Sequence, residues 1–405
     1  MSWTREQKNV TIAAYLGWTL DAFDFFLMVF VFKDIAAEFH VGIPEVSVAV
    51  VLTLAMRPVG ALIFGRLADR FGRKPTLMAN ILAYSVLELA SGFAPSLMAL
   101  LVLRALFGIA MGGEWGVGSA LTMETIPPKS RGFVSGLLQA GYPSGYLLAS
   151  VVFGLFYDHI GWRGMFMVGV VPALLVVYIR SNVPESPAWE AMSKKPRAGL
   201  LSTLRANWKL SLYAIVLMTA FNFFSHGTQD IYPTFLRVQH HFDTHTVSLI
   251  AITLNIGAII GGLSFGSISE KIGRRKAIFF AALIALPVLP LWAFSSGPLA
   301  LAAGAFLMQI SVQGAWGVIP VHLNEISPDE IRATFPGLVY QLGNLLASVN
   351  LYMQTRIAVA NGDNYSVALA LVAGITAVVI ASLIIFSRER RGIDMLQSAK
   401  EAVGA

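Results

Sequence analysis

The sequence predicts an all-α membrane protein, with twelve transmembrane helices in two pseudo-symmetric six-helix bundles. Three observations predict it. Apolar runs of about 20 residues recur along the chain, each long enough to cross a bilayer. Of its 405 residues 56% are apolar and 13% charged, with a mean hydropathy of +0.67, where a soluble domain is nearer a quarter charged. The second half of the chain also repeats the first at a fixed offset.

The apolar runs fall at 11–32, 44–65, 77–95, 97–118, 132–154, 162–182, 209–231, 245–266, 277–296, 298–320, 333–354 and 365–386. The first follows Arg5 and Lys8 and holds Asp21 and Asp24. It reads as a retained span, since a cleavable signal has a short apolar core and a small-residue cleavage site. An even number of spans puts both ends on one side. Of the 29 Lys and Arg residues, Lys33, Arg163, Arg237 and Arg356 fall on the opposite side, Arg57 and Arg104 lie inside spans, and the other 23 share the side of the termini. Cytoplasmic loops carry such an excess, so both termini are expected in the cytoplasm and the short loops suggest a bacterial inner membrane. The net charge of +6 therefore orients the chain and requires no nucleic acid. Cysteine is absent, which excludes a disulfide framework and a thiolate metal site. No metal-ligand cluster, nucleophile elbow or phosphate loop stands outside the spans, so an enzyme and a cofactor are not expected, and nothing suggests more than a monomer.

The repeat is sharpest in two loops. Residues 65–74 read G-R-L-A-D-R-F-G-R-K and residues 266–275 read G-S-I-S-E-K-I-G-R-R, an offset of 201. The same offset carries Trp115 to Trp316, Glu124 to Glu325, Pro127 to Pro328, Arg131 to Arg332 and Gly136 to Gly337. The expected organisation is an N-terminal bundle over 1–182, a polar, proline-bearing linker over 183–208, a C-terminal bundle over 209–386 and a tail over 387–405. Parallel repeats place a binding site near the midplane between the halves, and rocking of one half on the other gives alternating access.

The G-x-L-A-D-R-x-G-R-K loop, its echo between spans 8 and 9, Arg104 with Gly108 and Gly112, and P-E-S-P at 184–187 together resemble the major facilitator superfamily over essentially the whole chain. In the first loop Gly65 and Gly72 permit tight turns and close helix approach. Asp69 can accept from helix N-terminal amides or a neighbouring arginine. Arg70, Arg73 and Lys74 hold the loop at the surface. Such a cluster can latch one side of the protein in one state, or serve only as a topology anchor. The second copy holds Gly266, Arg274 and, in place of Asp69, Glu270, so its latch is expected to be weaker.

Asp21, Asp24, Arg57, Glu88 and Arg104 lie within spans. Each costs ~3 kcal/mol on insertion scales if unpaired, so each must pair, take a proton or face water. Depth along the spans sets Asp21 beside Arg57 and Asp24 beside Arg104. These pairs either neutralise each other structurally, or a carboxylate takes a proton and frees an arginine for an anion. Arg57 is the expected anchor, with Pro58 and Gly60 able to break the helix beside it. Arg104 is the alternative anchor or a proton-coupling element, and Glu88 carries no assigned role.

Span 7 carries a polar stripe of Asn222, Ser225, His226, Gln229 and Asp230. At ~100° per residue these share one helix face, and hydrocarbon does not tolerate such a face. The offset maps Asp21 to Asn222 and Asp24 to Ser225, making span 7 the counterpart of span 1. Asn222 and Ser225 are expected at the substrate, and His226, Gln229 and Asp230 in the outer vestibule, with Pro233 bending the outer end. A histidine titrates near neutrality, so His226 beside Asp230 suits pH-linked binding, or is simply a hydrogen-bonded core residue. Span 11 adds Tyr340, Gln341, Asn344 and Ser348. Gln139, Tyr142 and Tyr146 on span 5, and Gln309, Gln313 and Trp316 on span 10, serve packing as readily as binding.

The span-7 segment matches N-x-x-[ST]-H-x-[ST]-Q-D-x-x-x-T at Asn222, Ser225, His226, Thr228, Gln229, Asp230 and Thr234. This resembles the signature of lactate/proton symporters within the sialate:proton symporter family. The segments W-T-L-D-A-F-D-F-F at 18–26 and Y-Q-L-G-N at 340–344 are similar to that family's spans 1 and 11. The resemblance implies proton-coupled import of short monocarboxylates such as lactate or pyruvate, with Asn222, His226, Asp230, Gln341 and Asn344 functional. The alternatives are symport of a larger acid, such as sialic acid or an aromatic acid, drug/proton antiport, and a membrane sensor that binds without transporting.

Overall fold

The computed structural model describes residues 3–41, 43–192, 200–232, 235–236, 239–362 and 364–397. Its helices are α1 Arg5–Phe30, α2 Phe32–Glu38, α3 Ile43–Phe71, α4 Arg73–Ser91, α5 Leu97–Thr125, α6 Arg131–Val168, α7 Ala173–Asn182, α8 Pro187–Met192, α9 Leu200–Ala206, α10 Trp208–Gln229, α11 Thr244–Ile272, α12 Arg274–Ala293, α13 Pro298–Ile326, α14 Thr334–Ala347, α15 Asn350–Ala360 and α16 Tyr365–Ile385.

Local chemistry sets the ends of these rods. Thr4 and Gln7 form a reciprocal cap on α1, and the Ser96 and Asn364 side chains accept from the first turns of α5 and α16, satisfying N–H groups that a helix leaves open. Gly72 and Gly273 join α3 to α4 and α11 to α12 with φ of +115° and +99°, a region that favours glycine. Gly161, at φ 61° and ψ −175°, interrupts α6, so the expected spans 5 and 6 run on either side of one kink. A break at Ser348–Val349 likewise divides span 11 into α14 and α15. Pro58 lies inside an unbroken α3. The expected break beside Arg57 is therefore absent, proline being tolerated within membrane helices.

Among the described residues nine helical stretches are long and apolar enough to cross a membrane. The other three spans of the twelve are α4, which buries Asn80 and Glu88, the first part of α6, and the broken α14–α15 pair. Within the first half α3 packs on α5, and within the second α11 packs on α13. The contact is backbone to backbone and repeats at the offset. A Cβ at Gly60 would collide with the Ile109 carbonyl, and one at Gly261 with the Ile310 carbonyl. Leu299, Phe386, Leu174 and Met98 stand exposed on the outer faces, as hydrocarbon-facing residues do.

Candidate functional site

The end of the molecule that carries the termini, here called the basic end, is closed by contacts between the halves. Asp69 accepts hydrogen bonds from the backbone N–H groups of Ala333 and Thr334, both at 3.1 Å, and from the Thr334 hydroxyl at 2.5 Å. It therefore caps the N-terminus of α14 while facing Arg73 at 3.1 Å. Arg73 in turn forks onto Glu124 at 2.9 and 3.1 Å. In the second half Arg274 forks onto Glu325 at 3.1 and 3.2 Å, and Glu270 accepts from the Phe133 N–H at 3.1 Å. Arg131 donates to the Ile393 carbonyl at 2.6 Å, and Arg332 lies 3.9 Å from Glu124. Burial pulls both guanidiniums down to about 10, so they stay charged at neutral pH. Glu185 accepts from the Arg73 and Lys74 N–H groups. Burial raises its carboxyl above the usual range, against the pull of those bonds. Ser135 on α6 and Val321 on α13 meet at 3.1 Å, and Ser119 and Asn324 at 3.2 Å.

Above this floor the first half supplies charge. Arg57 is 3% exposed, 3.9 Å from Asp21, 2.8 Å from the Met111 sulfur and over the Phe25 ring. Its Nε, and both carboxylate oxygens of Asp21 and of Asp24, have no hydrogen-bond partner among the described residues. Arg104 donates to Glu88 and to the Ser91 hydroxyl, both at 2.6 Å, and lies over the Phe107 and Phe166 rings. Glu114 is fully buried, its Oε1 likewise unpartnered and pressed so close to α1 that a Cβ on Gly17 would strike it.

The second half supplies imidazole and amides. His226 bridges two helices, with Nδ1 3.0 Å from Asp230 and Nε2 3.1 Å from the Asn344 side-chain oxygen. Gln229 donates to Gln309 at 3.0 Å, which donates to Thr228 at 3.2 Å. Gln341 is buried with its oxygen unpartnered. Tyr340 packs between Trp115 of the first half, tilted against it, and Trp316 of the second, edge to face, with ring centroids 4.9 and 5.4 Å apart. The helix of Arg57, α3, packs against α14, the helix of Tyr340, Gln341 and Asn344. The two sets thus face one another across the interface of the halves.

The model of the Major Facilitator Superfamily matches residues 14–350 and again 231–401. The chain belongs to the major facilitator superfamily. Its fold and family are those of transporters rather than enzymes. It is 30% identical to the sialic acid transporter NanX of Escherichia coli (strain K12), over 83% of this chain and 84% of that one. It is also 30% identical to a carboxylic acid transporter protein homolog of Saccharomyces cerevisiae, over 88% of this chain but only 62% of the yeast protein's length. The solved structure of the proton:xylose symporter XylE superposes with a TM-score of 0.81 at 18% identity, covering 97% of this chain and 98% of that one.

Several residue-level expectations for this facilitator meet the structure differently. Asp21 does neighbour Arg57, but Arg104 pairs with Glu88 and not with Asp24. The reason is topological: α4 and α5 are antiparallel neighbours joined by a short turn, which sets residues 88 and 104 opposite each other. Asn222 is 2% exposed and donates to the Met218 carbonyl at 2.8 Å, while Ser225 is half-buried. Ser348 lies beyond the end of α14. Pro233, Thr234 and Arg237 fall outside the described residues. Glu114 was legible as an acid inside an apolar run, the same signal that marks Glu88. His322, at the end of α13, is fully buried and 2.9 Å from the Ser387 hydroxyl.

Proposed function

We propose that this protein is a proton-coupled symporter that imports short monocarboxylates such as lactate or pyruvate by alternating access. The observation that carries the reading is Arg57, a buried guanidinium held by one carboxylate at 3.9 Å and a thioether. Its helix, α3, packs against α14 of the other half, which carries Asn344 of the His226–Asp230–Asn344 chain. A guanidinium fork suits a carboxylate and binds it bidentately. Asn222, Ser225, Tyr340, Gln341 and Asn344 line the substrate's other side. A proton loads Asp21, Asp24 or the His226–Asp230 pair, with Arg104 setting the charge around them, and the anion then binds Arg57. Neutralising the buried charge removes the cost of moving it, and the halves rock. Gly65, Asp69 and Arg73, with Gly266, Glu270 and Arg274, release the basic end. That end is cytoplasmic on the charge reading, in a bacterial inner membrane, so the closed floor described above corresponds to an outward-facing monomer. The bundles divide at 182, 208 and 386.

A larger organic acid is the second reading, favoured by the relatives. Besides NanX they include the cis,cis-muconate transport protein of Acinetobacter baylyi, 28% identical over 84% of this chain. Uptake of radiolabelled C2 to C9 acids and sialic acid into proteoliposomes, each at two pH values with an imposed gradient, tests both. Uptake indifferent to the gradient rejects proton coupling. Saturation by acids of six carbons or more alone rejects the short-acid reading, and net drug efflux replaces symport with antiport.

A further inference from the structure

We propose that the crevice between the N-terminus of α12 and the C-terminus of α16 is a binding site for the headgroup of an anionic phospholipid. A cavity of about 520 Å³ opens there on the basic end, lined by residues of the second half. Arg275, Lys276 and Arg391 converge on it, with Glu389 the one acid of its lining. That acid is already committed, since it accepts from the backbone N–H groups of Arg274 and Arg275 at 3.2 and 3.1 Å. Two of the cations are fixed in place by carbonyl groups at helix ends. Arg275 donates through Nε to Ile384 at 3.1 Å, and Arg391 donates through Nη1 to Lys271 at 2.6 Å and Glu270 at 3.1 Å. A guanidinium has five N–H donors, so Arg391 keeps others for a ligand. The Lys276 ammonium has no hydrogen bond or ion pair among the described residues.

The rest of the lining is apolar. Phe279 and Phe280 form a wall that runs from the cations toward the hydrocarbon, and Phe280 is 53% exposed. A fixed cation cluster at the level of the headgroups, continuous with an aromatic face at the level of the acyl chains, matches a phosphate that carries two chains better than a free phosphate. Basic clusters at the cytoplasmic face bind acidic lipids in this way. The repeat supplies an internal control. At the 201-residue offset Pro75 and Ala79 stand where the second half has Lys276 and Phe280. After the capping acid the first half continues Ser186-Pro187 where the second continues Arg390-Arg391. Topology alone requires cations in both loops, so the additional three-sided arrangement in the second half is a specific device.

Native mass spectrometry of the purified full chain with phosphatidylglycerol and phosphatidylethanolamine of identical acyl chains tests this. The wild type is expected to retain one phosphatidylglycerol in preference to phosphatidylethanolamine, and the double variant Lys276→Gln/Arg391→Gln to lose that preference by roughly thirtyfold, from two surface cations. The single variant Lys276→Gln, whose side chain supports no part of the fold, is expected to lose roughly fivefold. Equal retention of the two lipids by the wild type, or an unchanged preference in Lys276→Gln, overturns the proposal. Displacement of the lipid by soluble glycerol phosphate at equal concentration overturns it in favour of a free phosphate site.

Discussion

The loop between α3 and α4 and the loop between α11 and α12 are built alike, yet hold the two halves together unequally. In both, a glycine with positive φ turns the chain, an arginine forks onto the last acid of the facing helix, and a second acid reaches across to the other half. In the first half that acid is Asp69, 1% exposed, and it takes three hydrogen bonds. In the second it is Glu270, with a single bond to Phe133 that lies at the surface. The same division runs through the interior. The first half holds Asp21, Asp24, Arg57, Glu88, Arg104 and Glu114, while the second holds Asn222, His226, Gln309, Gln341 and Asn344. A duplicated backbone therefore carries arginines and buried carboxylates on one side, and amides with the His226–Asp230 pair on the other. This is the arrangement in which an anion placed between them can be neutralised by one half and oriented by the other.

Removing the charge should have the largest effect. Arg57→Gln is expected to lower acid uptake by about 100-fold, the worth of a charged bidentate contact of ~3 kcal/mol, whereas Gln341→Ala is expected to cost about tenfold. Equal losses in transport assays would abolish the division of labour. The latches come next. Because the chain has no cysteine, a single one at Ser135, buried within the floor, reports opening of the basic end by its alkylation rate. Asp69→Asn should raise that rate roughly tenfold or more, through loss of charged bonds worth ~1.5–3 kcal/mol. Glu270→Gln should raise it less than about threefold; a reversed order breaks the comparison. His226→Gln should flatten the pH profile of uptake while leaving exchange of preloaded substrate within about threefold. The smallest effect belongs to the Glu38–Arg163 pair at the opposite end, 2.5 Å apart and half-exposed. The hydrogen bond from Arg163 holds the Glu38 carboxyl below its usual range. The pair therefore stabilises above the ordinary carboxylate range and loses that contribution as pH falls through the lowered value. Glu38→Gln should cost ~1 kcal/mol or less at pH 7 and less still at acid pH, read by thermal unfolding.

Much of this was legible in the sequence because membranes constrain chains severely. Apolar run length and the 201-residue offset give the twelve spans and the repeat without any knowledge of packing. Asp21 beside Arg57 followed from depth alone. Depth could not choose among helices at the same level, and so it paired Arg104 with Asp24 when the hairpin neighbour Glu88 was nearer. The kink at Gly161 falls at the boundary the apolar runs already draw between spans 5 and 6, but the break at Ser348 was hidden for another reason. Glycine and serine are common within membrane helices, and only tertiary contacts decide which of them interrupts a rod. The bond from His226 to Asn344 joins residues 118 positions apart, a pairing no periodicity on either helix reveals.

One feature of the floor sets how this facilitator can move. Where α6 meets α11, and α5 meets α14, glycine faces glycine: a Cβ at Gly136 would strike the Gly262 carbonyl, and Gly116 and Gly337 meet at their own Cα atoms. At these two crossings backbone meets backbone, so there the halves can part like two smooth plates. A single methyl group there would act as a doorstop and hold the basic end ajar.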